Sequence, residues 1–158
     1  MNVPIIEKEG RLGLAASYLL QGKFEESKNL LKQKPVLGEY LAYINLKYGN
    51  PKEALQEYNK LLSDAVEAES LSLQIRTLHY KGLAYLGMKS IEKAQTTADE
   101  LKELVQNSLN KKAIRFYQHL IGMMELERGN FSRAIKYKNF LFVLATNPSQ
   151  FPPADALK

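Results

Sequence analysis

The chain has 158 residues, of which 25% are charged, with a net charge of +5 and no cysteine. That length suits one domain with a sizeable core, and the missing cysteines exclude disulfides and thiolate metal sites. No apolar run approaches the roughly 20 residues that a membrane span needs, and residues 1–10 lack the charged-then-apolar pattern of a secretory signal, so a soluble, cytoplasmic protein is expected.

Abundant Leu, Ala, Lys, Glu and Gln with few prolines predict an all-α chain. Helices are expected over residues 5–21, 24–33, 36–48, 51–66, 68–86, 91–106, 110–128 and 131–145. Four times a small residue is followed twelve residues later by a second one: Ala15 with Ser27, Ala42 with Ala54, Gly82 with Ala94, Gly122 with Ala134. A glycine lies within each pair, at Gly22, Gly49, Gly87 and Gly129. Each unit therefore reads as helix, tight turn, helix, with the paired backbones packed closely at the small residues.

The junctions carry stop and start chemistry. Gly49-Asn50-Pro51 supplies a left-handed terminator, a capping side chain and a proline at the first helical position, and Gly129-Asn130 repeats the first two parts. Asn130-Phe131-Ser132 matches a glycosylation acceptor, but at a helix start the asparagine is expected as a cap. Gly87 precedes its second small residue by seven positions where the other units show five, which predicts a longer third turn with Ser90 as the cap. Lys34-Pro35 ends the second helix, and Asn107 to Asn110 form the best turn between units. The first small residues are 27, 40 and 40 positions apart, so the first hairpin is short. Thr146 to Lys158, with Pro148, Pro152 and Pro153, cannot continue a helix. The repeat domain is accordingly placed at 1–145, and 146–158 is read as a tail or a lead-in to further repeats. No second helix is polar enough to close an array, which suggests an excerpt of a longer one.

Charge is unevenly spread. Residues 1–106 carry 14 Lys and Arg against 14 Asp and Glu, whereas residues 107–158 carry 8 against 3. Lys111, Lys112, Arg115, Arg128, Arg133, Lys136 and Lys138 supply the excess, which is either a solvated face or a surface for an acidic partner or nucleic acid.

The hairpins resemble the tetratricopeptide repeat (TPR). Leu14-Ala15-Ala16-Ser17-Tyr18, Leu41-Ala42, Lys81-Gly82-Leu83-Ala84-Tyr85 and Ile121-Gly122 match its first helix. Gly49-Asn50-Pro51-Lys52-Glu53-Ala54-Leu55 and Gly129-Asn130-Phe131-Ser132-Arg133-Ala134-Ile135 match its second. Asn45 and Glu125 stand where the family has an aromatic residue, and the 40-residue spacing exceeds its usual period of about 34. The resemblance implies an α-α superhelix, or solenoid, of about four hairpins whose first helices line a concave groove. Carried over by position, that groove is formed by Tyr40, Tyr43, Lys47, Arg76, His79, Tyr80, Leu83, Phe116, His119 and Met123, with Leu46, Leu86, Leu120 and Glu127 beside them. The chaperone-binding branch grips a terminal carboxylate with Lys, Asn and Arg at set sites. Here those sites hold Leu12, Ala16, Tyr40, Arg76 and Tyr80, so only Arg76 fits.

His79 and His119, one period apart, are expected on neighbouring helices within about 10 Å, where they are polar groove residues, partner contacts or a pH sensor. A shared metal would want further ligands, and no histidine or cysteine lies at helical spacing from either. The aromatic set Tyr40, Tyr43, Tyr80 and Phe116 offers anchors for a bound segment or core between repeats. No phosphate loop, nucleophile elbow or metalloprotease pair is present in the sequence. The sequence thus points to a non-catalytic scaffold without a cofactor that binds a protein or peptide segment in its groove. The alternatives are a basic nucleic-acid-binding surface and a self-associating module.

Overall fold

The structure, a computed structural model, describes residues 3–32, 38–48 and 50–137. The helices are α1 (Val3–Leu20), α2 (Phe24–Lys32), α3 (Gly38–Lys47), α4 (Pro51–Glu67), α5 (Leu71–Gly87), α6 (Ile91–Gln106) and α7 (Ile114–Glu127). A 3-10 turn over Lys111–Ala113 leads into α7, and residues 131–137 belong to α8, the last described helix. No strand occurs among the described residues. The expected helix over 131–145 is thus described only to 137, and the segment 146–158 lies outside the described residues.

One connector closes every hairpin. Beyond the end of each first helix a backbone amide bonds back to the carbonyl five residues earlier: Lys23 to Tyr18, Asn50 to Asn45, Ser90 to Tyr85 and Asn130 to Glu125, all at 2.8–2.9 Å. This bond satisfies a carbonyl left over at the helix end and requires a left-handed residue just before the donor. Gly22 (φ 74°) and Gly129 (φ 76°) take that conformation, as the sequence predicts. In the third hairpin the sequence reading fails. Gly87 is the last residue of α5, and Lys89 (φ 57°) holds the left-handed position. Lys89 follows Gly82 by the same seven residues that separate Gly22 from Ala15 and Gly129 from Gly122, so the third turn is no longer than the others. Gly87 instead lets α5 end against α4, where an added β-carbon would stand 3.2 Å from Cβ of Pro51.

The same connector also joins hairpins: Ser70 bonds to the Ala65 carbonyl at 2.9 Å with Glu69 left-handed (φ 50°). It delays the start of α5 from the expected residue 68 to Leu71. Asn50 caps α4, its Oδ1 accepting from the Glu53 amide at 3.2 Å with Pro51 next in line. Ser90 sits at the cap of α6, but its side chain makes no capping bond.

All eight small residues of the repeat are buried. Ser27 fits an alanine position because its hydroxyl donates to the Ala15 carbonyl at 2.9 Å, removing the cost of burying it. Gly122 lies against its own hairpin, where an added β-carbon would approach Tyr137 Cβ at 3.2 Å and the Ala134 carbonyl at 3.9 Å. Gly82, expected at the same contact with its paired helix, faces elsewhere. A β-carbon there would collide with the Leu120 side chain of α7, in the following hairpin. Leu120 therefore belongs to the core, fully buried, rather than to the groove.

Successive helices pack on one another from α1 to α7, and α5 also touches both α3 and α7. The first helices of hairpins two, three and four thus form a continuous layer with α5 at its centre. At the final turn Glu125 is buried with its carboxylate accepting from Arg128 at 3.0 Å and Asn130 at 2.9 Å, and Arg133 stands 3.4 Å away. Asn130 uses its amide for this bond. Burial pushes the Glu125 carboxyl up, but the hydrogen bonds from Asn130 and Arg128 and the two guanidinium charges outweigh it and hold the group below the usual range.

Candidate binding groove

The exposed side of the α3–α5–α7 layer forms one open cavity of about 760 Å³. Its lining repeats at helical intervals: Tyr43, Leu46 and Lys47 from α3; His79, Tyr80, Leu83, Leu86 and Gly87 from α5; Arg115, Phe116, His119, Met123 and Glu127 from α7. The structure brings together Tyr43, Lys47, His79, Tyr80, Leu83, Phe116, His119 and Met123 of the expected set. Tyr40 and Arg76 fall outside this lining. Tyr40 is exposed on the first turn of α3. Arg76 is engaged by Glu39 across hairpins, Nε to Oε1 at 2.7 Å and Nη2 to Oε2 at 2.9 Å, a two-bond fork that answers its charge. Arg115 was placed only in the basic set by the sequence; its position one residue before Phe116 and four before His119 is the signal that puts it on the groove face.

The aromatic residues divide between core and surface. Tyr58, fully buried on α4, stacks parallel to Tyr80 at 5.6 Å between centroids. Tyr80 in turn meets Tyr43 edge-on at 6.0 Å. Tyr58 thus fixes Tyr80 from behind while Tyr43 stays exposed. Burial pushes both the Tyr58 and Tyr80 hydroxyls up, so they remain protonated.

His79 and His119 are not merely near each other. His79 Nε2 and His119 Nδ1 are 2.8 Å apart, so one ring donates to the other and ties α5 to α7. His79 also packs on Tyr80 at 4.9 Å and on Phe116 at 5.3 Å. Burial, with the charge of His119 second, lowers the His79 pKa to about 3, and burial lowers that of His119. Both imidazoles are therefore neutral at physiological pH. His79 Nδ1 has no partner among the described residues. A buried orphan acceptor is more readily tolerated than a buried orphan N–H, so the tautomer that fits has His79 Nε2–H donating to His119. The contact uses the nitrogens that a shared metal would need, and no group of three or more metal-ligating side chains occurs among the described residues.

The basic residues of the last third do not make one stripe. Arg128 and Arg133 turn to Glu125, and Arg115 lies over Phe116 with 5.0 Å from guanidinium carbon to ring centroid. Lys138 lies outside the described residues. Among the described residues no helix is long and apolar enough to cross a membrane.

No family model and no curated protein matches the chain. Among solved structures it is similar to a kinesin light chain with nearly identical TPR-like repeats, from Podosopora anserina, at 14% identity and a TM-score of 0.68. The match covers 87% of this chain and 75% of the other. The fold is a TPR-like helical-repeat solenoid.

Proposed function

We propose that this chain is a non-catalytic interaction module that binds a protein or peptide segment in the groove of α3, α5 and α7. The observation that carries this reading is the groove itself: an open, mostly apolar trough across three consecutive hairpins, with a half-buried aromatic at its centre and few polar groups. Leu46, Tyr80, Leu83, Phe116 and Met123 are each only partly buried, packing on the core from one side and leaving the other side open to the trough. Phe116→Ala is expected to weaken a partner by at least about 1 kcal/mol, read by calorimetry, whereas Lys136→Glu on α8 changes mainly the association rate. Dominance of Lys136, with affinity collapsing in salt, would instead favour nucleic-acid binding.

A second reading, self-association, is favoured by an apolar face at the α7–α8 end that adjoins the groove at His119 and Met123. There Leu126, Phe131 and Ile135 are exposed around a cavity of about 480 Å³. Light scattering across a concentration series distinguishes a dimer built on that face from a monomer with a free groove.

A further inference from the structure

The groove's charges are unequally answered, and this sets the chemistry of what it can hold. Arg76 is neutralised by Glu39, and Glu127, the only acidic lining residue, is bonded by Lys89 at 2.6 Å. His79 and His119 carry no charge at neutral pH. That leaves Lys47 and Arg115, both exposed and both without a carboxylate partner among the described residues. They stand on α3 and α7, at opposite margins of the trough, with the apolar residues of α5 between them.

We propose that the groove selects an acidic segment. An extended stretch lays aliphatic side chains on Leu46, Leu83 and Met123 and sets two separated carboxylates against Lys47 and Arg115. The proposal rests on the groove reading above and adds the partner's chemistry to it. Neighbouring helices lie about 10 Å apart, so α3 and α7 are separated by roughly 20 Å. By the 40-residue equivalence Lys47 aligns with Glu127, twelve positions or about 18 Å beyond Arg115 along the helix axis, so the two cations stand roughly 27 Å apart. An extended chain spans them in about eight residues, which fixes the spacing of the two acidic positions. Adjacent acidic residues could satisfy one cation but not both. A nucleic acid matches the positive margins but not the apolar floor, and a basic segment meets two uncompensated cations of its own sign. Field focusing by the apolar walls strengthens the preference.

Phage-displayed random peptides selected on the full chain provide the test, followed by fluorescence anisotropy of a selected peptide against wild type, Lys47→Glu and Arg115→Glu. Both positions are exposed, so circular dichroism should find these variants folded. Acidic pairs at the predicted separation should be enriched, and each charge reversal should weaken binding about tenfold, with a further loss in salt. Replacing either acidic residue of the peptide by glutamine should abolish the effect of reversing its own cation only. Selected peptides that depend on Phe116 but show no acidic enrichment, or that ignore both reversals, overturn the acidic preference and leave the groove reading standing. Failure to select any peptide sensitive to Phe116→Ala overturns both.

Discussion

Hairpins three and four superimpose in sequence by a shift of 40 residues, yet equivalent positions do different work. Gly82 makes room for Leu120 of the next hairpin, while Gly122 makes room for Tyr137 of its own. Leu86 is buried, whereas Leu126 is exposed. Tyr85 stands where Glu125 gathers Arg128, Arg133 and Asn130, and Lys89 strains into the backbone conformation that Gly129 adopts freely. The repeat fixes where each residue sits, but the neighbouring hairpin decides what that residue must be. Hairpin three is enclosed on both sides by α4 and α7 and so depends on shape. Hairpin four has a described neighbour on one side only, and its turn depends on charge.

The largest expected effect comes from the two glycines. Gly82→Leu should cost about 2–3 kcal/mol, because the enclosed Leu120 has nowhere to move, and Gly122→Leu about 1–2 kcal/mol, because its nearest neighbour, the Tyr137 Cβ at 3.2 Å, requires a shift of only a few tenths of an ångström in α8. Urea denaturation measures both. Equal costs would mean that enclosure between hairpins does not control the packing.

Acid should loosen the tie between the same two hairpins. The folded pKa values of His79 and His119 lie below the ordinary value of 6.5, so the unfolded chain binds more protons as the pH falls. Their stabilisation is complete above pH 6.5 and is lost on acidification towards the folded value of about 3 for His79. The loss is about 1 kcal/mol for the first pH unit below 6.5, from His79 alone. Glu125, also depressed, adds a further loss below the usual carboxylate value of 4.5. Urea midpoints between pH 7 and 5 should fall for the wild type and stay flatter for the His79→Gln/His119→Gln double variant. A parallel pair of curves would mean that the histidines are as well solvated as in the open chain.

The turns should give the smallest changes. Gly129→Lys is expected to cost about 1 kcal/mol, the penalty for a left-handed residue with a β-carbon. Lys89→Gly should gain only a few tenths, because the relief of that strain is offset by loss of the exposed pair with Glu127. Destabilisation by Lys89→Gly would show that the ion pair between hairpins outweighs the backbone cost.

The described helices and the first and last turns are legible because each depends on local periodicity. The third turn is the exception, because its glycine, Gly87, lies inside α5 and does not mark the left-handed position. Counting seven residues from the small residue, as in the other hairpins, leads to Lys89. The sequence assigned Gly82 to its own hairpin because the twelve-residue spacing is satisfied there too. Which neighbour fills the notch depends on how hairpins stack, a non-local fact. Arg76 looked available for a ligand because Glu39, its partner, lies 37 positions away. The 40-residue spacing of the histidines put them on facing helices, but the hydrogen bond depends on ring orientations that no spacing encodes.

That hydrogen bond also makes the molecule its own strain gauge. It spans the joint between two inner helices and is short enough that widening the groove by little more than an ångström would break it. Imidazole nitrogen resonances, which differ between bonded and free rings, would register such opening without any attached label. The protein's two histidines are the two rings of this pair, so the signal has no background from other imidazoles. A segment that fits the relaxed groove should leave the resonances paired, whereas one that spreads α5 from α7 should split them.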